Sequence, residues 1–240
     1  MRTIWTLTKR ELHSYFDSLI AYVMIIIFLG FSGFFTWIYG SDIFLVGQAS
    51  LRTFFAIAYW TLFFFIPALT MKSIAEEKRS GTIELLLTKP VSDWQLILGK
   101  FGGNFIIIAV ALILTVPYIV SVASIGNLDL GATLMGYLGL LLMSASYIGV
   151  GIFASSINNN QIVSFLTALL VGLFFHIIFG VLATGVGGAF GNLFNYLDLN
   201  THFESISRGV LDTKDLIYFL SIMFVGLYLS VISLAKRNLN

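Results

Sequence analysis

The chain has 240 residues, of which 58% are hydrophobic and only 10% are charged. Soluble domains carry about 25% charged residues, so the composition excludes a water-soluble globule and predicts an integral membrane protein. The formal net charge of +1 disfavours a nucleic-acid-binding protein. The absence of cysteine excludes disulfides, thiol catalysis and cysteine-ligated metal sites.

The first 17 residues are too polar to cross a membrane, yet their apolar residues recur at helical spacing. The apolar positions are Ile4, Trp5, Leu12, Tyr15 and Phe16, whereas Lys9, Arg10, His13 and Asp17 gather on another face. This pattern is typical of a helix that lies in the membrane interface, although a plain topogenic anchor explains the same basic residues. Its candidate functional residues are Trp5, Lys9, Arg10 and Glu11.

Six apolar stretches follow. Each is long enough to cross a bilayer, which requires about 20 residues because lipid offers backbone amides no hydrogen-bond partner. They cover about residues 19–39, 54–70, 101–123, 133–153, 162–183 and 216–234. The second stretch carries aromatic rings on every side, which favours lipid-facing bulk over a substrate box. These rings are Phe54, Phe55, Tyr59, Trp60, Phe63, Phe64 and Phe65.

The distribution of basic residues predicts the orientation of these spans. One side holds ten of the chain's thirteen Lys and Arg, and the other holds only Arg52, Arg208 and Lys214. By the positive-inside rule both termini are cytoplasmic. We expect one transmembrane domain over residues 1–240. Its parts are an interface helix (1–17), two spans (18–71), a cytoplasmic loop (72–100), three spans (101–184), an extracytoplasmic segment (185–214), and a sixth span with a cytoplasmic tail (215–240).

Residues 72–100, here called the elbow loop, contain five of the thirteen Lys and Arg. We expect the helix of the second span to end at Ser80 and Gly81, since glycine tolerates the left-handed conformation that follows a helix. Thr82 is then placed to begin a new helix. Ser92 and Gln95 fit a capping box that opens the helix leading to the third span.

The middle of the elbow loop has its own pattern. Glu84 falls in the first turn of the new helix, where a carboxylate matches the helix dipole, and Pro90 ends that helix. The apolar side formed by residues 85–87 and Trp94 exceeds what a solvated loop needs. A partner protein could bury it.

Residues 77–90 read EKRSGTIELLLTKP, and Gly99-Lys100 opens the next span. This stretch resembles the signature of ABC-2 type permeases, and the resemblance covers the whole chain, with six spans and an amphipathic start. Three shorter segments are similar to the permease subunit of the gliding-motility (Gld-type) ABC transporter. They are KREL at residues 9–12, FIPALTM at 65–71 and TKPV at 88–91.

The resemblance implies an all-α permease fold in the bacterial inner membrane, where two permease chains pair as a homodimer or heterodimer. Each elbow loop would dock on one subunit of an ATPase dimer through a coupling helix. The residues implied in coupling are Glu77, Gly81, Thr82, Glu84, Leu86, Pro90 and Lys100. Lys100 would anchor the loop at the membrane boundary. A rigid turn explains Gly81 and Pro90 equally well, and snorkelling explains Lys100.

The chain has no phosphate-binding loop, because Gly99-Lys100 is followed by Phe101 and Trp94 stands where the first glycine is required. We therefore expect ATP and Mg²⁺ to bind a partner ATPase, and no cofactor or metal to bind this chain. The predicted function is a permease that couples ATP hydrolysis to export or conformational work in a gliding-motility-type complex. Such a complex would include a larger membrane subunit with an extracytoplasmic domain.

Other functions are also consistent with parts of the sequence. One is a homodimeric exporter of a hydrophobic or lipid-linked substrate, and another is a force-transmitting or assembly subunit that does not transport. An intramembrane enzyme built on Ser144, Ser146 and His176 is disfavoured, because no Gly-x-Ser-x-Gly element is present. A channel is disfavoured because no expected span core holds an ionisable group. The separation of His13 and His202 argues against a metal site.

Overall fold

The computed structural model describes residues 2–39, 49–82 and 91–236, and within these ranges the protein is helical and has no strand. The α-helices are α1 (Arg2–Asp17), α2 (Ile20–Trp37), α3 (Arg52–Thr70), α4 (Ala75–Arg79), α5 (Asp93–Ile113), α6 (Val116–Ile125), α7 (Leu130–Ile157), α8 (Gln161–Leu173), α9 (Phe179–Gly185), α10 (Gly188–Leu197), α11 (Leu199–Ser207) and α12 (Thr213–Lys236). A π-helical turn, Phe174–Ile178, joins α8 to α9.

Six helical stretches among the described residues are long and apolar enough to cross a membrane. They are α2, then α3 with α4, then α5 with α6, then α7, then α8 through α9, and finally α12. The predicted all-α fold with six transmembrane helices is confirmed. The protein is therefore a multi-pass membrane protein.

The third span differs from the expected residues 101–123 in two ways. It begins at Asp93, because the predicted capping box of Ser92 and Gln95 forms with N···O distances of 3.3 and 3.2 Å. It is also interrupted at residues 114–115, between α5 and α6. Pro117 has no N–H to donate to the carbonyl of Ile113, so the regular helix cannot continue through this point.

The centre of the helix assembly is α7, which packs against α3, α5, α8, α11 and α12. Its apolar window is 78% buried, against 22% for the first and fifth spans. Backbones of α7 and α12 touch directly, because a Cβ on Gly226 would lie 2.5 Å from the carbonyl carbon of Gly149. Small residues permit this close approach between helices in a membrane.

The aromatic residues of α3 correct one expectation. Phe54, Phe55, Tyr59 and Phe63 are buried in the core, and only Trp60 and Phe64 of the seven are largely exposed. The prediction of lipid-facing bulk is therefore wrong for these four rings. The reason is packing, since α3 contacts α2, α7 and α8, and the rings fill the space between them.

The segment before the sixth span, residues 185–214, folds into the short helices α10 and α11. A buried contact between two side chains fixes it, with His202 Nδ1 2.6 Å from Asp215 Oδ1 in the first turn of α12. The other ring nitrogen, Nε2, lies 2.8 Å from the carbonyl oxygen of Tyr196. Both ring nitrogens therefore lie within hydrogen-bond distance of an oxygen atom. The pair ties α11 to the start of the last span.

Candidate functional site

One face of α1 is buried against the body of the protein. Its buried residues, Thr8, Glu11 and Tyr15, recur at intervals of three and four and so lie on one side of the helix. This side packs against α5. The opposite side stays open, where Trp5 is 53% exposed and Lys9 Nζ lies 5.5 Å from the centre of its ring. The helix therefore has a docked face and a free aromatic-basic face.

Glycines of α5 allow α1 to lie directly on its backbone. A Cβ on Gly99 would lie 2.5 Å from Leu7 Cβ, and one on Gly103 would lie 2.8 Å from Glu11 Cβ. The Thr8 hydroxyl donates to the carbonyl oxygen of Gly99 at 3.2 Å. Sequence reasoning missed this docking, although the small-residue spacing in α5 was a usable signal.

Lys100 is the centre of a charged cluster that joins α1, α4 and α5. It is 2% exposed, and its Nζ lies 2.9 Å from Glu77 Oε1 and 3.4 Å from Glu11 Oε2. Arg10 Nη2 lies 3.1 Å from the same Glu77 oxygen. We call these four residues the charged joint. Two cations face two carboxylates, so the joint buries Lys100 without a net charge.

Of the predicted coupling residues, Glu77 and Lys100 are thus brought together with Arg10 and Glu11 of the predicted interface helix. Lys100 lies inside α5 and does not snorkel outward, because its ammonium is held between carboxylates. Glu77 Oε2 is buried and has no hydrogen-bond partner among the described residues.

A second polar contact beside the joint fixes the end of α3. The Tyr15 hydroxyl lies 2.8 Å from the carbonyl oxygen of Leu69 and 2.9 Å from Asn104 Oδ1. The Asn104 amide donates to the carbonyl oxygen of Lys100 at 2.8 Å. Burial raises the pKa of the Tyr15 hydroxyl well above its usual range, and the charge of Glu11 raises it further. Tyr15 therefore stays protonated and links α1 to both α3 and α5.

The short helix α4 is held by α7 as well as by the joint. The Ser155 hydroxyl accepts from the backbone N–H groups of Ile74 and Ala75 at 2.9 and 3.0 Å, and so caps the start of α4. Lys78 Nζ donates to the carbonyl oxygen of Ser156. The segment that enters the elbow loop is therefore fixed to the central helix.

Gly81 follows α4 in the left-handed conformation, with φ of +70°. A Cβ there would meet no atom within 4 Å, so the requirement for glycine comes from the backbone and not from packing. Thr82 Oγ1 lies 2.8 Å from Ser80 Oγ. The helix ends at Ser80 and Gly81 as expected, whereas Glu84, Leu86 and Pro90 lie outside the described residues.

The residues considered for an intramembrane enzyme do not form a Ser-His pair. His176 Nδ1 lies 2.8 Å from the Tyr147 hydroxyl, and its ring stacks on Tyr59 with centroids 4.1 Å apart. Ser144 and Ser146 donate to backbone carbonyl oxygens. Within the part of the chain that the structure describes, no group of three His, Asp or Glu is placed to hold a metal ion.

Comparison with known families matches residues 14–235 to the family described as ABC-2 family transporter protein. The match begins inside α1 and ends inside α12, so it includes the six spans and the elbow loop. A separate comparison with curated proteins finds no match to the chain.

Proposed function

This chain belongs to the ABC-2 family of transporter proteins, and on that premise we propose that it couples ATP hydrolysis by a separate ATPase to movement of its own spans. The family is the transmembrane component of an ABC transporter and not the ATPase, so ATP and Mg²⁺ would bind the partner. The observation that carries the proposal is the bridge that Lys100 makes between Glu11 of α1 and Glu77 of α4.

The charged joint allows the elbow loop to transmit force to the membrane spans. A loop attached to two independent helices would bend when pushed, and little of the force would reach the membrane. Here α4 and the start of α5 are paired with each other through Lys100 and with α1 through Glu11 and Arg10. Ser155 fixes α4 to α7. A push on the elbow loop therefore displaces the second, third and fourth spans together.

The test is a substitution at Gly81, which lies just after α4 in the elbow loop and outside the charged joint. Gly81→Val strains the left-handed backbone, whereas Gly81→Asn is a matched control because Asn tolerates that conformation. We expect Gly81→Val to insert normally and to lose stimulation of the ATPase that co-purifies with the wild-type chain. Gly81→Asn should retain it. If Gly81→Val stimulated the ATPase as strongly as Gly81→Asn and the wild type do, the elbow loop would have no part in the mechanism.

We also propose that α1, the elbow loop and the end of α12 face the cytoplasm, because ten of the thirteen Lys and Arg lie on that side. The chain has no cysteine, so single cysteines report topology cleanly. A membrane-impermeant maleimide should label Thr213→Cys in intact cells or spheroplasts, and should label Ser80→Cys only after lysis. The reverse pattern would invert the orientation.

The similarity of residues 9–12, 65–71 and 88–91 to the gliding-motility permease supports a finer proposal. The chain would pair with a larger membrane subunit that carries an extracytoplasmic domain. Affinity purification of the tagged chain in mild detergent, followed by mass spectrometry, tests it. An ATPase together with a large membrane protein supports the heteromeric complex, and an ATPase alone indicates a homodimeric exporter.

A further inference from the structure

A cavity of about 720 Å³ lies at the end of the molecule opposite the joint. Its walls come from α3, from the π-helical turn with α9, and from α11 with the residues on either side of it. Nothing in the proposed coupling uses this cavity. Its interior is polar and aromatic, and its rim carries charged residues.

Three buried side chains that line the cavity each present a polar atom without a hydrogen-bond partner in the described ranges. These atoms are Tyr59 Oη, His176 Nε2 and Asp198 Oδ1. The three residues are 3%, 4% and 5% exposed. Buried polar groups in native proteins are nearly always paired, so three unpaired atoms around one cavity indicate a ligand that pairs them.

Two of these residues are hydrogen-bonded through one polar atom, and their other polar atom has no partner among the described residues. His176 is fixed at Nδ1 by the Tyr147 hydroxyl, at 2.8 Å. Asp198 Oδ2 accepts from Thr201 N at 3.0 Å and from Thr201 Oγ1 at 2.9 Å. Gly180 leaves room beside the free oxygen, since a Cβ there would lie 3.0 Å from Asp198 Oδ1. Their orientations are therefore fixed before any ligand binds.

The charges of the cavity are arranged by depth. The Asp198 carboxylate is buried, whereas Arg52, Arg208 and Glu204 line the cavity as exposed residues, with Arg208 Nη2 2.7 Å from Glu204 Oε2. A buried carboxylate among aromatic rings, here Trp60 and Phe203, favours an ammonium group by charge and by cation–π attraction. Arginines favour a phosphate. The site thus fits a ligand whose ammonium enters first and whose phosphate stays at the mouth.

A separate apolar groove lies next to this cavity, and Trp60 lines both. The groove has a volume of about 380 Å³ and lies between α2 and α3. Its other walls include Phe31, Phe35, Ile57 and Phe64. An acyl chain attached to a headgroup in the cavity would therefore find an apolar surface directly beside it.

We propose that the cavity binds the headgroup of an amine-bearing phospholipid, such as phosphatidylethanolamine, with an acyl chain in the groove. The ammonium lies against Asp198 Oδ1 and the Tyr59 hydroxyl, and the phosphate lies between Arg52 and Arg208. The orientation proposed above decides which leaflet supplies the lipid. The binding itself does not depend on it.

The experiment titrates the delipidated full-length chain with dioleoyl phosphatidylethanolamine or dioleoyl phosphatidylglycerol, and reads binding by native mass spectrometry. The two lipids share chains and phosphate, and only the first carries an ammonium. We expect the amine lipid to bind at least about tenfold more tightly. Asp198→Asn should remove this preference and leave phosphatidylglycerol binding unchanged. Asp212→Asn, at an exposed pair outside the cavity, is the matched control and should change neither.

Tyr59→Phe is the second variant, and it should weaken the amine lipid severalfold even if Asp198→Asn does not fold. Equal binding of both lipids by the wild type, or a preference that survives both substitutions, would overturn the proposal. Free O-phosphoethanolamine that binds as tightly as the lipid would overturn the assignment to a lipid. Binding is measured on the chain alone, so its failure would leave the ATPase coupling standing, and loss of coupling would leave this binding intact.

Discussion

At the joint, the carboxylates of Glu11 and Glu77 both lie within ion-pair distance of Lys100, whereas Asp198 in the opposite cavity has no cation within that distance among the described residues. Both sites bury charge inside a membrane protein, where unpaired charge is costly. The joint satisfies that requirement internally. The cavity leaves it to a ligand. Substitutions at the joint should therefore reduce stability, and substitutions in the cavity should reduce binding while stability changes little.

The largest expected effect is that of Lys100→Met, which leaves Glu11 without a cation and Glu77 with only the exposed Arg10. Breaking a buried pair from one side costs about 3–5 kcal/mol of unfolding free energy. Denaturant or thermal unfolding of the purified chain in detergent measures it. Lys214→Met, at an exposed pair near the other end, should unfold like the wild type. Similar losses of unfolding free energy for both variants would show that the buried pairs of the joint contribute no more than an exposed pair.

Gly103→Val tests the docking of α1 without changing a charge. The new side chain would lie within 2.8 Å of Glu11 Cβ, so α1 must move away, and overpacking of this kind costs about 1–3 kcal/mol. Gly30→Val is the control, because a Cβ there meets no atom within 4 Å. A cysteine at Thr8, buried in the parent, should become reactive only in the Gly103 variant. Its continued protection would mean that α1 docks by other contacts.

Tyr15→Phe should cost about 1 kcal/mol at neutral pH, since it removes a buried hydroxyl that is hydrogen-bonded. It should also change how the free energy of unfolding depends on pH in the alkaline range. The pKa of Tyr15 is raised in the folded state, so above about pH 10 the unfolded chain releases this proton more readily and stability falls. The free energy of unfolding, measured between neutral pH and about pH 11, should decrease less steeply for Tyr15→Phe than for the wild type. Identical slopes would argue against a buried, protonated Tyr15.

The smallest expected effect is that of Tyr59→Phe in the cavity. The lost hydroxyl has no hydrogen-bond partner in the described part of the chain, so its removal should leave stability unchanged or raise it slightly. Thermal unfolding without added lipid is the measurement. A loss as large as that of Tyr15→Phe would mean that the Tyr59 hydroxyl is paired within the fold, and would remove the contrast between the two ends.

The sequence predicted the local structures correctly where a few neighbouring residues determine them. The capping box of Ser92 and Gln95 and the left-handed turn at Gly81 depend on a few neighbouring residues, and both occur as expected. Span number and class followed from apolar length. The role of the predicted coupling residues stays a prediction, because residues 83–90 lie outside the described ranges.

Contacts between residues that are far apart in the sequence could not be predicted in the same way. Glu11 and Lys100 are 89 residues apart, and no local pattern pairs them. The rings of α3 could not be divided between lipid and core, because aromatic residues suit both surroundings and only packing decides. Asp198 lies in the expected extracytoplasmic segment, residues 185–214, and its place in a cavity with Tyr59 and His176 depends on three separate elements.

The same separation sets an order of events during synthesis. Lys100 leaves the ribosome 89 residues after Glu11, and at about 5–20 residues per second this interval is roughly 5–20 s. Throughout it, the face of α1 that carries Thr8, Glu11 and Tyr15 has no α5 to dock against. Only the free face with Trp5 is ready to rest on the membrane. The first helix to be made therefore cannot dock before α5 is made, and a nascent chain arrested before Gly103 would carry it undocked.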